Sequence, residues 1–324
     1  MSGQSDKTIV NLRFFALVLV VVGHSIILYS NYWSCFPVIK YFPLGEIKDF
    51  INVIQMPIFF AISGFLFNYS INKPTFKVLD FIKGKILRLL IPFVCVLIAF
   101  NDPIRFLLSQ YDIMSPVDVI KGHLLLTNLY HLWYLPCLFG IFLISLLICK
   151  IKDMSRGGEL IVFIILMYLN VNPKQLLTIP IQFQIRNIAN YLLFFYTGYI
   201  VSRYNLVSKI RFRGIQPVAW ILFLLILYVE VYSPSIFNTP LTVLACITSF
   251  VMVGSKSISF IELISINSLG IYLIHEPLCH ITFAYLRHLH PLLVSSINLF
   301  ICGGVAFLAS YYIRKSRFSW IIGG

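Results

Sequence analysis

Charged side chains are scarce in this 324-residue sequence. Asp, Glu, Lys and Arg make up only 11% of the chain, whereas soluble domains carry about 25%. Hydrophobic residues make up 59%, above the roughly 45–50% that is usual for soluble domains. This shortage of charge argues against an ordinary soluble enzyme and favours a protein that lies within a membrane.

The sequence also lacks the cysteine patterns of disulfide-rich and zinc-binding proteins. Most of its seven cysteines fall inside apolar blocks, and none forms a C-x-x-C pair or a Cys/His cluster with zinc-site spacing. We therefore expect no metal site and interpret the cysteines of the apolar blocks as small packing residues. No small-residue cleavage motif follows the first apolar block, which is expected to remain a membrane span.

Long apolar blocks take up most of the chain, and they suit helices that cross a hydrocarbon core of roughly 30 Å. Their uniform apolarity does not fit the alternating pattern of a membrane β-barrel. We predict an all-α polytopic membrane helix bundle with about ten transmembrane helices, organised as a single domain over residues 1–324. The predicted spans are 9–30, 50–70, 86–109, 132–150, 158–172, 185–203, 216–233, 238–255, 266–287 and 291–313.

The net charge of +13 raises nucleic acid as an alternative partner. The basic residues lie between apolar blocks rather than on one soluble face, so we exclude nucleic acid and expect the lipid bilayer instead. If the N-terminus is cytoplasmic, most of the 25 Lys and Arg residues lie on the inner side, and a few, Lys48 and Arg105 among them, lie on the outer side. The positive-inside rule therefore predicts an N-in/C-in orientation.

The inner loop 71–85 is strongly basic, and Lys85 and Arg88 continue its charge into the next block. One interpretation is the ordinary positive-inside bias together with contact to anionic lipids. The other is a landing site for a phosphorylated cytosolic cofactor. The sequence alone leaves both open.

Ionisable residues within membrane spans are functional candidates, because a charge at mid-bilayer costs several kcal/mol. Arg13 and His24 lie in the first predicted span, eleven residues apart. This spacing is close to three helical turns and puts both on one face, with a rise of roughly 16 Å. Arg13 is expected near the cytoplasmic boundary, as a snorkelling anchor or a functional group. His24 is expected about halfway across, as a core histidine or as a neutral imidazole that acts as a base.

The second predicted span contains the sequence QMPIFFAISGFLFNYS. Its Pro57 and its Ser63–Gly64 pair indicate a bend or a close approach of two helices. For Gly64 we prefer the interpretation of helix packing. Ser63 could in addition bond a substrate or a thioester oxygen.

The predicted ninth span contains Tyr272, His275 and Glu276 within about one helical turn. Glu276 either orients the imidazole of His275 or merely marks the helix before Pro277, and the sequence does not decide between the two.

At the outer end of the fourth span, His131, Trp133 and Tyr134 are typical of an interfacial aromatic belt.

Taken together, these segments resemble the acyltransferase-3 family of integral membrane acyltransferases. The first span is similar to the family pattern of an Arg, ten residues and a His. Five further segments are similar to family segments and occur in family order: FFAISGFLF, KGKILRLLIPF, HLWYLPCLF, YLLFFYTGYIVSR and SLGIYLIHEPL. Each is weak alone, but their order across nearly the whole chain is specific.

The resemblance implies an acyl-coenzyme A-dependent O-acyltransferase of the bacterial cytoplasmic (inner) membrane, with acetyl-coenzyme A as co-substrate. The implied acceptor is a hydroxyl of a surface glycan or lipid-linked sugar. The family roles fall on His24 as catalytic base or acyl relay and on Arg13 as a residue that positions the donor. The implied donor-binding residues are Lys85, Arg88 and Ser63. The implied acceptor pocket contains Trp133, Tyr272, His275 and Glu276.

One position near Arg13 departs from the family pattern. Many family members have an Asp three residues before the Arg, where this chain has Val10, with Asn11 as the nearest polar residue.

The main alternative function is a polytopic transporter or flippase for a surface-polysaccharide precursor, which would more often show inverted repeats that we do not find. The others are a membrane acyltransferase of the other large class that uses a buried His, and an accessory membrane subunit.

Overall fold

The computed structural model describes residues 3–32, 39–108, 115–127, 129–149, 155–171, 178–210, 214–233, 235 and 237–324, and these contain helices and no strand. The prediction of an all-α fold is confirmed. The α-helices are α1 (Gly3–Ser25), α2 (Phe42–Ile71), α3 (Val78–Lys85), α4 (Ile91–Val96), α5 (Asp102–Leu107), α6 (Pro116–Leu124), α7 (Tyr134–Cys149), α8 (Arg156–Val171), α9 (Ile185–Arg203), α10 (Leu206–Ile210), α11 (Ile215–Tyr232), α12 (Asn238–Met252), α13 (Ser259–Ile266), α14 (Ser268–Leu286), α15 (Pro291–Ser296) and α16 (Gly303–Lys315).

Several helical segments are long and apolar enough to cross a membrane. Within the described ranges these are Lys7–Ser25, Phe42–Ile71, Tyr130–Ile148, Ile215–Tyr232 and Pro291–Lys315. The chain is therefore a multi-pass helical membrane protein. The other predicted spans also coincide with helices, which are shorter or less apolar. The count of ten spans and the N-in/C-in orientation stay predictions.

The helices pack into two compact units. The first unit comprises Met1–Ala16, Val53–Lys83 and Cys137–Glu262, and the second comprises Leu17–Asn52, Gly84–Pro136 and Leu263–Gly324. The single domain over residues 1–324 stays a prediction.

In the first unit, α2 and α9 cross with their backbones in contact. A Cβ atom on Gly64 would overlap the backbone carbonyl of Phe195, and a Cβ atom on Gly198 would overlap the backbone of Ala61. Glycine is required at both positions because neither backbone can move away without separating the helices. The interpretation of Gly64 as a packing residue is confirmed.

Two buried carboxylates tie further helices of the first unit together. Glu159 of α8 forms an ion pair with Arg203 of α9 at 2.8 Å and accepts a hydrogen bond from Tyr204. Glu230 of α11 accepts a hydrogen bond from Thr242 of α12. Each carboxylate thus has a polar partner on a neighbouring element, as burial requires.

In the second unit, residues 84–107 belong to one helical path in which α-helical and π-helical turns alternate. The π-helical segments are Ile86–Leu90 and Leu97–Asn101. Each ends two residues before a proline, Pro92 or Pro103. Proline lacks an N–H and crowds the carbonyl four residues earlier, and in both places that carbonyl lies in the wider π-helical turn. The helix therefore continues past Pro103 and carries Arg105 into the interior.

The core of the second unit surrounds the end of α1. One apolar cluster combines residues that follow α1, residues of the first turns of α2 and residues of α14 and α15. Its members include Ile26, Leu28, Leu44, Ile51, Cys279, Phe283 and Val294. Asn298, which follows α15, is completely buried and donates a hydrogen bond to the carbonyl of Ser25 at 3.2 Å. These contacts fix the last turn of α1 against α14.

Candidate active site

Arg13 and His24 both lie on the uninterrupted helix α1, so their rise of roughly 16 Å follows from helix geometry. The helix begins at Gly3 and ends at Ser25, where the chain passes into a short 3₁₀ turn, Ile27–Tyr29. His24 therefore lies near the C-terminal end of the candidate span Lys7–Ser25, and α1 ends five residues before the predicted span end at residue 30. The depth of His24 in the membrane stays a prediction.

A short hydrogen bond joins two histidines in the second unit. Nδ1 of His24 lies 2.8 Å from Nε2 of His275. Nδ1 of His275 lies 2.9 Å from the carbonyl oxygen of Ile271 and 3.0 Å from that of Tyr272. Carbonyl oxygens only accept, so Nδ1 of His275 carries its proton and Nε2 is the acceptor.

The direction of this bond assigns the proton on His24. Nε2 of a neutral His275 accepts, so Nδ1 of His24 must donate to it. Nε2 of His24 then keeps its lone pair. His275 is completely buried, whereas His24 is half-buried. The arrangement therefore presents Nε2 of His24 as an oriented proton acceptor and holds it there through His275.

A third histidine completes a triangle of imidazole rings. The ring centroid of His131 lies 6.1 Å from that of His24 and 6.1 Å from that of His275. The hydroxyl of Tyr272 donates to the backbone carbonyl of His131, and the two rings meet edge to face at 5.5 Å. Tyr272 thus fixes the start of the Tyr130–Trp133 turn against α14.

Glu276 lies at the centre of a buried charged network next to the triangle. Its Oε1 lies 2.7 Å from Nη2 of Arg105 and 2.9 Å from Nε2 of His280. Its Oε2 lies 3.0 Å from Nδ1 of His131. Asn101 accepts a hydrogen bond from Nε of Arg105 at 3.1 Å. All of these side chains are at least 90% buried, so the carboxylate is neutralised by partners of the protein itself.

Pro277 leaves a backbone carbonyl oxygen of α14 available to a ring nitrogen of His131. A proline inside a helix cannot donate to the carbonyl four residues earlier, which here belongs to Leu273. Nε2 of His131 lies 3.4 Å from that oxygen. The proline therefore leaves an acceptor of α14 open toward the Tyr130–Trp133 turn.

Several residues predicted from the sequence meet in this site. His24, Tyr272, His275 and Glu276 are in contact with one another or through His131. Of the two alternatives left open for Glu276, orientation of the His275 imidazole does not match the geometry, because the oxygens of Glu276 face Arg105, His131 and His280.

The other predicted residues lie on different elements. Trp133, half-buried, ends the turn that holds His131. Lys85 and Arg88 lie three residues apart on the helical path before Pro92, where Arg88 is exposed. Arg13 and Ser63 belong to the first unit, and the hydroxyl of Ser63 donates to the carbonyl of Phe59 at 2.9 Å.

Asn11, which stands nearest to the acidic position of the family pattern, has a structural role. Its amide donates to the carbonyl oxygens of Gly254 at 2.7 Å and Lys256 at 2.8 Å. It therefore ties α1 to the segment after α12 within the first unit.

Sequence patterns do not reveal the roles of three residues of the network. Arg105 is counted among the outer charges because it lies near the end of a predicted span, and His131 is read as part of an aromatic belt. His280 is four residues after Glu276, a spacing that puts both on one helical face and could have revealed the pair. In the part of the chain that the structure describes, no group of three or more His, Cys, Asp or Glu side chains is arranged to hold a metal ion.

Comparison with known proteins adds one finding. The sequence model of a family described as an acyltransferase domain matches residues 7–315, nearly the whole chain. No curated protein and no solved structure matches the chain.

Proposed function

The chain belongs to the acyltransferase-3 family and is a multi-pass membrane acyltransferase; from this premise we propose that it transfers an acyl group from cytoplasmic acyl-coenzyme A to a hydroxyl of a cell-surface or lipid-linked sugar. The proposed acyl group is acetyl, and the proposed location is the bacterial cytoplasmic membrane. The observation that carries the proposal is the hydrogen bond from Nδ1 of His24 to His275, because it leaves Nε2 of His24 ready to accept a proton.

In the proposed reaction, Nε2 of His24 takes the proton of the sugar hydroxyl as the oxygen attacks the thioester carbonyl carbon. The new C–O bond forms, and the tetrahedral intermediate then breaks its C–S bond. The leaving thiolate of coenzyme A recovers the proton from Nε2, so His24 returns to its neutral form. No redox step is involved, and one histidine acts first as a base and then as an acid.

The remaining residues support this step in different ways. His275 fixes the tautomer of His24 and receives the hydrogen bond that strengthens when the imidazole becomes positive. Tyr272 and Glu276, predicted as pocket residues, are engaged with His131 and Arg105, and we assign them to positioning. Trp133 stays our candidate for the acceptor pocket.

We propose Lys85 and Arg88 as the ligands of the coenzyme A phosphates, because cationic side chains bind phosphate through charge-assisted hydrogen bonds. Arg13 and Ser63 stay proposed as residues that position the acyl donor. Each of these four roles predicts a higher KM for acyl-coenzyme A or a lower kcat when the side chain is removed.

The experiment is a transfer assay with the purified protein in nanodiscs. Isotopically labelled acetyl-coenzyme A is supplied with membranes that carry the native glycans, and free coenzyme A and labelled glycan are measured by mass spectrometry. His24→Ala is expected to abolish both products while the protein stays monodisperse. Undiminished transfer by His24→Ala would reject His24 as the base.

A matched control comes from His288, which is exposed between α14 and α15. His288→Ala removes the same kind of side chain and should leave the transfer rate unchanged. Comparing the surface glycans of cells with and without the gene identifies the acceptor. An added mass of one acetyl group on a glycan supports the proposal, and release of coenzyme A without an acylated product contradicts it.

A further inference from the structure

Lys48 is a buried cation in the second unit that takes no part in the proposed reaction. Its side chain is only 2% exposed, although Lys is rarely buried without a partner. Among the described residues no carboxylate forms an ion pair with it, and no hydrogen bond to it is found. The nearest acid along the chain is Asp49, which acts on it only through space.

The position of Lys48 on α2 directs it toward the histidine site. Leu44, Lys48 and Ile51 follow the helical spacing of one face, and all three are buried. Leu44 and Ile51 pack in the cluster that also contains Ile26 and Cys279. These two residues follow His24 and His275 by two and four positions. Lys48 therefore points into the space between the end of α1 and α14.

The charged side chains described around His24 include one cation without an ion-pair partner. Arg105 and Glu276 neutralise each other at 2.7 Å, so among the described ion pairs the charge of Lys48 is in excess, and this charge acts on His24. Lys48 therefore opposes a positive charge on His24. A buried charge of this kind is costly unless an opposite charge is supplied.

Acyl transfer itself does not supply that opposite charge. When His24 takes up the hydroxyl proton, one positive charge forms on the imidazole and one negative charge forms on the reacting group. The step is neutral overall and leaves the excess of Lys48 in place. The phosphates of coenzyme A lie beyond the long pantetheine arm, away from the thioester. Of the two substrates, the acceptor is therefore the one that can bring a permanent negative charge to Lys48.

We propose that Lys48 binds an anionic group of the acceptor, so that the enzyme acylates an acidic sugar, bearing a carboxylate or a phosphate, rather than a neutral one. This inference rests on the proposed function and names its substrate class. The carboxylate of a sugar acid and the phosphate of a lipid-linked sugar share the chemistry that a buried ammonium recognises.

The test measures binding through thermal unfolding of the full-length protein in nanodiscs. The probes are glucuronic acid, glucose 1-phosphate and, as the neutral control, glucose. At several times the Kd, the wild-type unfolding temperature should rise by about 1–3 °C with at least one anionic probe and not with glucose. The responding probe identifies the anion as carboxylate or phosphate.

Four variants make the result specific. Lys48→Met and Lys48→Gln should not show the rise in unfolding temperature with the anionic probe. Lys48→Arg should keep most of this rise because it keeps the charge. Lys121→Met removes an exposed lysine of α6 and should keep the full rise. The proposal is overturned if no anionic probe stabilises the wild type, if glucose stabilises it equally, or if both neutral Lys48 variants keep the rise.

A separate measurement, the rate of acyl transfer, tests the proposed function. His24→Ala should keep the anion-dependent rise and lose acyl transfer. An unchanged transfer rate in His24→Ala would reject His24 as the base, whereas the anion site at Lys48 would not be affected. If the rise in unfolding temperature with anionic probes does not depend on Lys48, the anion site is rejected, whereas the role of His24 as the base is not affected.

Discussion

Arg105 and Glu276 form a buried ion pair that joins α5 to α14 across 171 positions of the chain. The guanidinium also lies 3.5 Å above the ring of Tyr130 and donates to Asn101. Nothing in this arrangement needs solvent, because each charged group has its partners within the second unit. The pair is therefore expected to fix the helices that carry the histidines rather than to react.

Removing one member of the pair should destabilise the protein strongly. Arg105→Met leaves the carboxylate of Glu276 buried without its main counter-charge, and such a change costs about 3–5 kcal/mol. Denaturant or thermal unfolding in nanodiscs measures the loss. Acyl transfer should fall together with the folded fraction.

The double variant Arg105→Met with Glu276→Leu provides the control. It removes both charges, so most of the lost stability should return. If Arg105→Met alone is as stable as the wild type, the ion pair does not hold α5 and α14 together.

His275 should act on the rate through the orientation of His24. Asn in its place can still donate to the carbonyl of Ile271 but is too short to accept from His24. We expect His275→Asn to lower kcat by about 10- to 100-fold with little change in KM, less than the 10²–10⁴-fold that a general base contributes. Steady-state kinetics with acetyl-coenzyme A measures both constants.

His275→Gln is the matched rescue for this prediction. Its longer side chain puts an amide oxygen near the position of Nε2, where it can accept from Nδ1 of His24. Its kcat should exceed that of His275→Asn at equal folded fraction. Equal activity of the two variants, or wild-type activity of His275→Asn, contradicts a positioning role.

The helical fold could be predicted because membrane spans are read from local composition. Every predicted span coincides with a helix, and the six ordered segments identify the family that the comparison confirms. Helix boundaries could be predicted less well, because α1 and α2 begin and end at positions that hydropathy does not determine. The early end of α1 at Ser25 is one example.

The charged part of the site could not be predicted because it depends on contacts between distant segments. Lys48 and Arg105 stand close to predicted span ends, where hydropathy assigns charges to loops. Burial of both follows only from the packing of α2 and α5 in the second unit. For Glu276 the sequence offers His275 as the nearest partner, whereas helix geometry turns its oxygens toward Arg105 and His280.

The two crossing glycines of the first unit give a prediction about stability. Gly64→Ala and Gly198→Ala each insert a methyl group into the opposite backbone. Such overpacking costs about 1–3 kcal/mol or more where the neighbour cannot move. Gly84→Ala is the control, because a Cβ there meets nothing within 4 Å, and in a helix the change should be neutral or stabilising by up to about 1 kcal/mol. Thermal unfolding of the three variants should separate them, and an unaltered Gly64→Ala would contradict the close crossing.

The buried ammonium of Lys48 should lower the stability of the protein when no substrate is bound. Because its ammonium is buried without an ion-pair partner among the described residues, Lys48→Met should make the protein more stable when no sugar is added. The expected gain is about 1–4 kcal/mol, the range found when buried ion pairs are replaced by apolar groups. The exposed Lys121→Met should change stability by less than about 0.5 kcal/mol. Thermal unfolding in nanodiscs without added sugar measures both. A stabilised Lys48→Met that also acylates its acceptor more slowly indicates that the wild type gives up stability for substrate binding. A destabilised Lys48→Met instead means that the ammonium has a partner within the protein, and its role is then structural.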